Sequence, residues 1–328
     1  MATTSAEPLK QIAEDIYQVR LPLPFALNHV NCYLLREDQG WTILDTGLNI
    51  PEARAVWQTA LAALQIGAAD IRRIILSHVH PDHYGLAGWL QEWSGAPVLM
   101  SPREAELARQ LWQENNLGQT MFHLFRQAGV PEAIEGEAIA HAEKVRQLTF
   151  PHPRRVELVE AGTALSTGRR QFKAFHAPGH SDGQLVFYDA ADRLLLSGDQ
   201  VLLKITPNIG IWPVSELDPL GRYLASLQQL SQLDVRLALP GHRGVITNWF
   251  ERLAELKQHH AVRLAVMLDA VEAGGVTAYQ VCNQVFNTPE FTMHELRFAV
   301  AETLAHLEYL VKQERLRRED DGVWLYRL

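Results

Sequence analysis

Short apolar runs and longer amphipathic segments alternate along the first hundred residues of the chain. Residues 41–44, 71–77 and 97–100 predict buried strands, because each run is short, apolar and bounded by turn-forming residues. Residues 51–64 and 86–93 lie between these runs and carry apolar side chains at helical spacing. This alternation of strands and helices predicts an α/β layered domain.

The strand pattern is interrupted once and then resumes. Residues 102–151 carry no strand pattern, and helices are predicted over 103–115, 120–127 and 134–145. This helical insertion either covers the site and gives a substrate an apolar wall, or it packs on the sheet. We favour packing, because aromatic and methionine side chains at helical spacing usually serve a core. The other strands are predicted over residues 12–20, 28–35, 156–159, 172–176, 185–188, 194–196 and 235–239, with a helix over 219–231.

Beyond residue 245 the pattern becomes helical. A run of helices is followed by a hairpin whose two short strands meet at an Asp-Gly turn. Helices followed by such a hairpin resemble a winged helix. We therefore expect one domain over residues 1–250 and a winged-helix-like domain over residues 251–328. The helices are predicted over residues 247–271, 277–286 and 292–314, and the hairpin over residues 316–326.

The composition of the 328 residues is typical of a soluble globular protein, with 47% hydrophobic and 21% charged residues. The formal net charge of -8 does not favour binding to a polyanion. Cys32 and Cys282 lie far apart in the sequence, so we predict no disulfide framework and expect a reducing compartment. No apolar stretch is long enough to span a membrane and the first ten residues do not resemble a signal peptide, which predicts a cytoplasmic protein.

Candidate metal ligands cluster in the loop that follows the predicted strand 71–77. Residues 78–83 read His-Val-His-Pro-Asp-His, and imidazole with carboxylate is a ligand set that suits zinc and similar divalent ions. Three later strands also end in a short loop that contains a glycine and a candidate ligand. Glycine permits turns that other residues disfavour, so each ligand can point towards a common centre. These later candidates are His180, Asp199 and His242.

The spacing H-x-H-x-D-H resembles the metal-binding motif of the metallo-β-lactamase superfamily. The resemblance extends from residue 12 to about residue 242 and implies an αββα sandwich that holds two divalent metal ions. Zn²⁺ is the expected ion, with Mn²⁺ and Fe²⁺ as alternatives. Asp45 ends another strand and resembles a carboxylate that orients the metal-bound histidines of this family, although it could simply close a turn. On this resemblance His78, His80 and His180 would hold the first ion, Asp82, His83 and His242 the second, and Asp199 would bridge both.

The resemblance implies a dinuclear metal-dependent hydrolase. A bridging hydroxide would attack the carbonyl carbon of a small ester, thioester or lactone, as in glyoxalase II-like and lactonase-like members. Asp82 would also pass a proton to the departing oxygen or sulfur. The better-known β-lactamases have cysteine where this chain has Asp199, so antibiotic hydrolysis is not expected. Di-iron members have glutamate in place of His80, which disfavours a redox di-iron site.

Three other functions stay open: a metal-dependent nuclease or phosphodiesterase, a single-iron dioxygenase, and a non-catalytic binding protein. A nucleic-acid partner is not expected, because eight basic and eleven acidic residues follow residue 253. The basic cluster of Arg315, Arg317 and Arg318 is therefore assigned to a solvated wing. We expect the winged-helix-like domain to contribute a homodimer contact or a wall of the pocket for a small-molecule substrate.

Other polar residues are weaker candidates. Ser181 follows a candidate ligand, but no His-Asp pair remains to activate it as a nucleophile, so a turn role is predicted. Lys204, Asn208, Trp212 and Tyr223 are candidates for the pocket lining. The remaining histidines match no ligand position and are assigned to the surface or to packing: His29, His123, His141, His152, His176, His259, His260, His294 and His306.

Overall fold

Two β-sheets packed face to face form the centre of the molecule. The computed structural model describes residues 8–25, 27–114, 116–271, 274–286 and 291–328. The strands are β1 (Leu9–Ala13), β2 (Ile16–Pro22), β3 (His29–Glu37), β4 (Gly40–Leu44), β5 (Ile71–Ile75), β6 (Val98–Met100), β7 (Val156–Leu158), β8 (Ala164–Thr167), β9 (Arg170–His176), β10 (Leu185–Asp189), β11 (Leu194–Gly198), β12 (Leu237–Pro240), β13 (Val276–Thr277), β14 (Arg317–Asp320) and β15 (Trp324–Arg327).

Helices connect and cover these strands. No helix in the described ranges is long and apolar enough to cross a membrane. The helices are α1 (Pro51–Ala63), α2 (Pro81–Tyr84), α3 (Ala87–Ser94), α4 (Pro102–Ala108), α5 (Leu117–Gln127), α6 (Glu135–Gln147), α7 (Pro219–Leu230), α8 (Trp249–Asp269), α9 (Ala278–Phe286) and α10 (Met293–Lys312).

The two main sheets mix parallel and antiparallel pairing. In the described part of the chain the first has seven strands in the order β1-β2-β3-β4-β5-β6-β7, and the second has five in the order β12-β11-β10-β9-β8. β4 to β7 pair in parallel, and so do β11 and β12. Side chains of both sheets meet in one buried core that includes Tyr33, Ile75, Phe172 and Phe187. Burial of this apolar surface holds the sheets together.

Helices cover the outer face of each sheet. α1 and α3 pack on the first sheet through buried side chains that include Trp57 and Leu90. α7 and α8 cover the second sheet through Leu227 and Leu253. The Trp57 indole N–H also donates to the carbonyl oxygen of Thr46 at 2.7 Å, which ties α1 to the end of β4. The layers therefore form the α/β sandwich that the sequence predicts.

The helical insertion between β6 and β7 packs in two directions. Trp112 and Val145 belong to the core under the first sheet, which confirms the prediction that the insertion packs there. Phe122 and Phe125 belong instead to a second core, which they share with the C-terminal helices α8 to α10. The insertion thus joins the sandwich to the last part of the chain.

The C-terminal residues form helices α9 and α10 and a small sheet. Within the described residues this sheet has the strand order β13-β15-β14. Leu304 and Leu307 of α10 are fully buried, and Trp324 of β15 closes the same core. The domain boundary near residue 250 and the winged-helix-like character of this part stay predictions.

The structure differs from the predicted elements at several places. Residues 12–20 do not form one strand, because β1 and β2 pair as a hairpin that turns between Ala13 and Ile16. The helix predicted over 103–115 ends at Ala108 and continues as a π-helical turn over Arg109–Gln113. The sequence pattern does not reveal β8, which has only four residues.

Replacing Gly88 with alanine should destabilise the protein, although alanine is the better helix former. Gly88 lies in α3, and a Cβ there would overlap the carbonyl oxygen of Pro151. We expect the free energy of unfolding to fall by about 1–3 kcal/mol, the usual cost of overpacking, in a urea titration.

Gly136 of α6 provides the matched control, because no atom lies within 4 Å of the position that its Cβ would take. The substitution Gly136→Ala should leave stability unchanged or raise it by up to about 1 kcal/mol. Equal losses in the two variants would show that the contact with Pro151 is not the cause.

Candidate metal centre

The seven predicted ligands lie together at one end of the sandwich. Four of them follow strands, and the other three lie in the loop and short helix after β5. Since α2 begins at Pro81, directly after one ligand, its first turn directs two further side chains towards the same space. The ligands after strands are His78, His180, Asp199 and His242, and those at α2 are His80, Asp82 and His83.

His78, His80 and His180 form one group of imidazoles. His78 Nε2 lies 3.1 Å from His80 Nδ1, which lies 2.9 Å from His180 Nε2. Burial lowers the pKa of all three side chains, so they are neutral near pH 7. Neutral imidazoles with inward-facing ring nitrogens are a ligand set for a divalent cation.

Asp82, His83 and His242 form a second group, with Asp199 beside it. His242 Nε2 lies 3.2 Å from Asp82 Oδ2 and 3.1 Å from Asp199 Oδ2. Asp199 also lies near His83 and His180: its Oδ1 is 3.4 Å from His83 Nε2, and its Oδ2 is 3.6 Å from His180 Nε2. The Asp199 carboxylate therefore lies between the two groups.

The charges of the second group are mutually stabilising. Burial by itself would lower the pKa of His83 and His242, but the nearby carboxylates, Asp199 first among them, together outweigh it. The pKa of His242 rises to about 10 and that of His83 rises well above its usual range. In the same way the imidazoles hold the pKa of Asp82 and Asp199 below the usual range, despite burial. Both carboxylates are therefore ionised and can attract a cation.

Four of the histidines have a hydrogen-bond partner behind the ring. A backbone carbonyl can only accept, so His180 and His242 each carry a proton on Nδ1 and turn Nε2 towards the cluster. The four contacts, each 2.9 Å long, join His83 Nδ1 to Asp45 Oδ2, His78 Nδ1 to Ser77 Oγ, His180 Nδ1 to the Asn208 carbonyl and His242 Nδ1 to the His29 carbonyl.

Two buried atoms inside the cluster have no hydrogen-bond partner among the described residues. They are His83 Nε2 and Asp199 Oδ1, which face each other across 3.4 Å. A buried polar atom without a partner costs free energy, and a shared cation would satisfy both atoms. The residues present therefore fit divalent metal ions of the kind that imidazole and carboxylate ligands prefer.

Asp45 fixes the loop that carries the first ligands. Its Oδ1 accepts a hydrogen bond from the Ser77 backbone N–H at 2.8 Å, and its Oδ2 accepts from Ser77 Oγ at 2.8 Å and from His83 Nδ1. Asp45 adopts φ 59°, a left-handed conformation that residues with a Cβ usually avoid. This geometry is the one that the predicted orienting role requires.

Two glycines beside the ligands are required for different reasons. Gly179 has φ 135°, and a Cβ there would overlap Tyr223. Gly241 has an ordinary φ, but a Cβ there would overlap the carboxylate of Asp199. The first glycine therefore permits a turn, whereas the second leaves room for a ligand.

Glu104 on α4 is a site residue that the sequence reasoning missed. One of its oxygens accepts a hydrogen bond from the Val79 N–H at 2.7 Å, and the other accepts from Ser181 Oγ at 2.6 Å and the Gly183 N–H at 2.7 Å. Burial raises the pKa of Glu104 to about 7. This carboxylate ties the loop of His78 and His80 to the loop of His180. No local pattern around residue 104 indicates this contact.

A cavity of about 750 Å³ opens onto the ligand cluster. The insertion supplies much of its apolar wall, and α10 supplies the opposite side. The insertion thus serves both interpretations considered from the sequence, since it packs on the sheet and also lines this space. Wall residues from the insertion include Leu107, Leu111, Trp112, Met121 and Phe125, and those from α10 include His294, Arg297 and Phe298.

The residues that line the cavity can be compared with the four that the sequence predicts. Asn208 and Trp212 line it, which confirms their prediction. Lys204 and Tyr223 are not among the lining residues, so their prediction is wrong. Tyr223 is fully buried instead, with its hydroxyl donating to the Gln200 carbonyl at 3.1 Å.

Two of the remaining histidines also line the cavity. His141 and His294 belong to none of the ligand groups, as expected, but the sequence reasoning did not place them at the cavity. Their rings lie 5.7 Å apart, and His294 stacks on Phe25 at 4.2 Å. His260 and His306, in contrast, are buried packing residues as expected, with ring nitrogens 3.1 Å apart.

Solved structures similar to this chain extend over nearly its whole length. A metallo-beta-lactamase family protein from Thermus thermophilus is 33% identical with a TM-score of 0.87, covering 97% of this chain and 99% of the other. A beta-lactamase domain protein from Burkholderia ambifaria is 29% identical with a TM-score of 0.86, covering 99% of this chain and 96% of the other. The fold therefore includes the insertion and the C-terminal part.

Sequence comparisons agree with these structures. A probable metallo-hydrolase of Bacillus subtilis, YqjP, is 28% identical over 95% of this chain and 97% of its own length. The chicken (Gallus gallus) acyl-coenzyme A thioesterase MBLAC2 is 28% identical over 71% of this chain and 79% of its own length. Residues 26–242 match the family described as the metallo-beta-lactamase superfamily, and residues 264–328 match the metallo-beta-lactamase-like C-terminal domain. This chain therefore belongs to the metallo-beta-lactamase superfamily and is a metal-dependent hydrolase.

Proposed function

We propose that this enzyme hydrolyses a thioester, ester or lactone of a small molecule with an apolar acyl group. The observation that carries the proposal is the cavity of about 750 Å³, which joins an apolar wall to the cluster of metal ligands. An apolar pocket with a few polar groups at one end suits a substrate whose reactive carbonyl lies at the end of a hydrocarbon chain.

The ligand set would hold two divalent ions, with Zn²⁺ as the expected one. His78, His80 and His180 would hold the first ion, and Asp82, His83 and His242 the second. Asp199 would bridge them, which is supported by its contacts with both groups. When bound, such ions lower the pKa of a coordinated water and polarise a carbonyl oxygen.

The side chains around the ions would do the remaining work of hydrolysis. The oxygen of water forms a bond to the carbonyl carbon, and the C–S or C–O bond breaks with its electron pair on the departing atom. The attacking water gives up a proton to an ionised carboxylate, and the departing atom needs that proton back. The Asp82 side chain is 20% exposed and lines the cavity, whereas that of Asp199 is only 7% exposed, so Asp82 is placed to transfer this proton.

The relative MBLAC2 supports a thioester as the bond that is cleaved, because that protein is an acyl-coenzyme A thioesterase. A nuclease is disfavoured by the apolar cavity and the net charge of -8. The proposal also includes a homodimer and a winged-helix-like C-terminal domain that begins near residue 250.

The substrate class can be tested on the metal-loaded protein with one panel. We expect turnover of an acyl thioester, an ester or a lactone, and none of a phosphodiester or a structured RNA. Elemental analysis of the same samples should find about two divalent ions per chain. Cleavage of RNA alone would favour the nuclease, consumption of oxygen would favour the dioxygenase, and full metal content without turnover would favour a binding protein.

The variant Asp82→Asn tests proton transfer. We expect kcat to fall by about 10²–10⁴-fold, because asparagine cannot carry the proton, while metal content falls much less. Metal content and kcat are measured on the same preparation. Losses of equal size in both would show that Asp82 is only a ligand.

The variant Glu104→Gln tests whether the buried Glu104 carboxylate positions the two loops that carry His78, His80 and His180. A glutamine amide cannot accept all three hydrogen bonds, so at least one backbone N–H would be left without an acceptor. We expect unfolding free energy to fall by about 1–3 kcal/mol and metal affinity to fall by about 10- to 100-fold, measured by chemical denaturation and by competition with a chelator.

Glu106→Gln is the matched control for Glu104→Gln. Glu106 lies on the same helix, is 49% exposed and pairs with Arg103. Its substitution should leave both stability and metal affinity nearly unchanged. If Glu104→Gln behaved like this control, the Glu104 carboxylate would have no part in positioning the ligands.

A further inference from the structure

Arg297 of α10 lies at the wall of the cavity without an ion-pair partner among the described residues. Its Nε is buried and has no hydrogen-bond partner among the described residues, and no carboxylate of those residues forms an ion pair with its guanidinium. One guanidinium N–H approaches His294 Nδ1 at 3.4 Å, a long and weak contact. The strongest donor group in the apolar part of the cavity is therefore largely unused.

Two other arginines with little exposure in this protein are fully engaged. Arg170, which is 3% exposed, contacts the carboxylates of Asp15, Asp189 and Asp192. Arg252 donates to two backbone carbonyls, at 2.7 and 2.6 Å, and to Glu255. Arg20, Arg103 and Arg243 also have a buried Nε without a partner among the described residues, but of these four arginines only Arg297 lines the cavity.

The two acids that α10 contributes to the cavity wall are already used, and the first of them, Glu295, accepts hydrogen bonds from Thr292. Glu302 lies 3.6 Å from Arg263 and accepts a hydrogen bond from Asn208 at 3.3 Å. It therefore does not neutralise Arg297. An unpaired inner charge is expensive, so a position of this kind needs a reason beyond stability.

Aromatic rings hold the guanidinium in place. Its carbon lies 4.1 Å from the centre of the Phe298 ring and 5.5 Å from that of Trp212. These contacts orient the group without using its N–H donors. Burial lowers the pKa of Arg297 only to about 10, with the Asp82 carboxylate opposing the shift, so the side chain is charged near neutral pH.

Arg297 and the metal ligands face one cavity. Asp82, His180 and His242 line it together with Arg297 and His141. His141 has a buried Nε2 without a partner among the described residues, which adds a second unused polar atom to this wall. A substrate that reaches the metal ligands therefore also passes a fixed, unpaired cation.

We propose that Arg297 binds an anionic group of the substrate, a carboxylate or a phosphate, and so makes the enzyme selective for acidic esters or thioesters. This inference rests on the proposed hydrolysis and adds the charge of the substrate to it. A planar guanidinium with free donors matches carboxylate and phosphate oxygens, and in an apolar cavity the interaction is strong. Arg297 acts as a specificity residue and takes no part in bond cleavage.

Matched substrates locate the anionic group. Adipoyl-N-acetylcysteamine carries a carboxylate on the acyl group, hexanoyl-coenzyme A carries phosphates on the leaving group, and hexanoyl-N-acetylcysteamine carries neither. We expect the wild-type enzyme to prefer one of the first two by about 10- to 100-fold in kcat/KM, mainly through KM. The preferred substrate shows on which side of the scissile bond the anion lies.

The variant Arg297→Met keeps the apolar stem and removes the charge. It should abolish the preference, by raising KM for the anionic substrate about 10- to 100-fold while hydrolysis of the uncharged thioester changes little. Arg297→Lys should retain part of the preference. Arg36→Met is the control, because Arg36 also lies over an aromatic ring, at 5.1 Å from that of Trp41, but does not line the cavity.

Calorimetric titration with adipate separates this inference from the proposed reaction. Adipate should bind the metal-loaded wild type and the Arg36→Met variant, and bind Arg297→Met at least about tenfold more weakly. If no thioester is hydrolysed but adipate binding still depends on Arg297, the proposed reaction fails and the anion site stands. A wild type that prefers neither anionic substrate, or an Arg297→Met variant with unchanged preference and adipate affinity, would overturn the inference and give Arg297 a packing role only.

Discussion

The hydrogen bonds behind the buried histidines are the interaction on which the rest of the site depends. Each of the four contacts, from His78, His83, His180 and His242, directs one ring nitrogen away from the cluster and the other into it. Without these partners the rings could rotate or exchange tautomers, and the lone pairs would no longer meet. The acceptors come from strand ends and their loops, so the accuracy of the site follows from the rigidity of the sandwich.

The sheet topology explains why these groups can meet at all. β5, β11 and β12 direct their carboxyl ends to the same side of the sandwich, and the residues that follow them carry His78, Asp199 and His242. The core between the sheets holds these ends in register. Catalytic side chains on loops supported by a packed core are the common way in which a rigid fold presents reactive groups.

The sequence reveals the cluster of candidate ligands because each has a local sign: the H-x-H-x-D-H spacing after an apolar run, or a glycine beside a histidine or aspartate after one. The sandwich follows from the same runs. Glu104 and Arg297 lack such a sign, because each lies in an ordinary amphipathic helix, α4 or α10. Their contacts with residues far away in the sequence, Val79 and Trp212, are what give them a place at the site. Likewise the weak alternation of apolar and polar residues over 12–20 predicts one strand and not the hairpin of β1 and β2, since the turn has only two residues between Ala13 and Ile16.

Asn208 couples two parts of the molecule that the sequence presents as separate. Its carbonyl accepts from His180 at 2.9 Å, while its amide N–H groups donate to the Phe298 carbonyl and to Glu302, both at 3.3 Å and both on α10. The last part of the chain therefore helps to set the direction of a ligand ring in the first part. Exchange of C-terminal segments between members of this family would thus shift the His180 ring along with the shape of the cavity. A change in one of these two features would therefore alter the other.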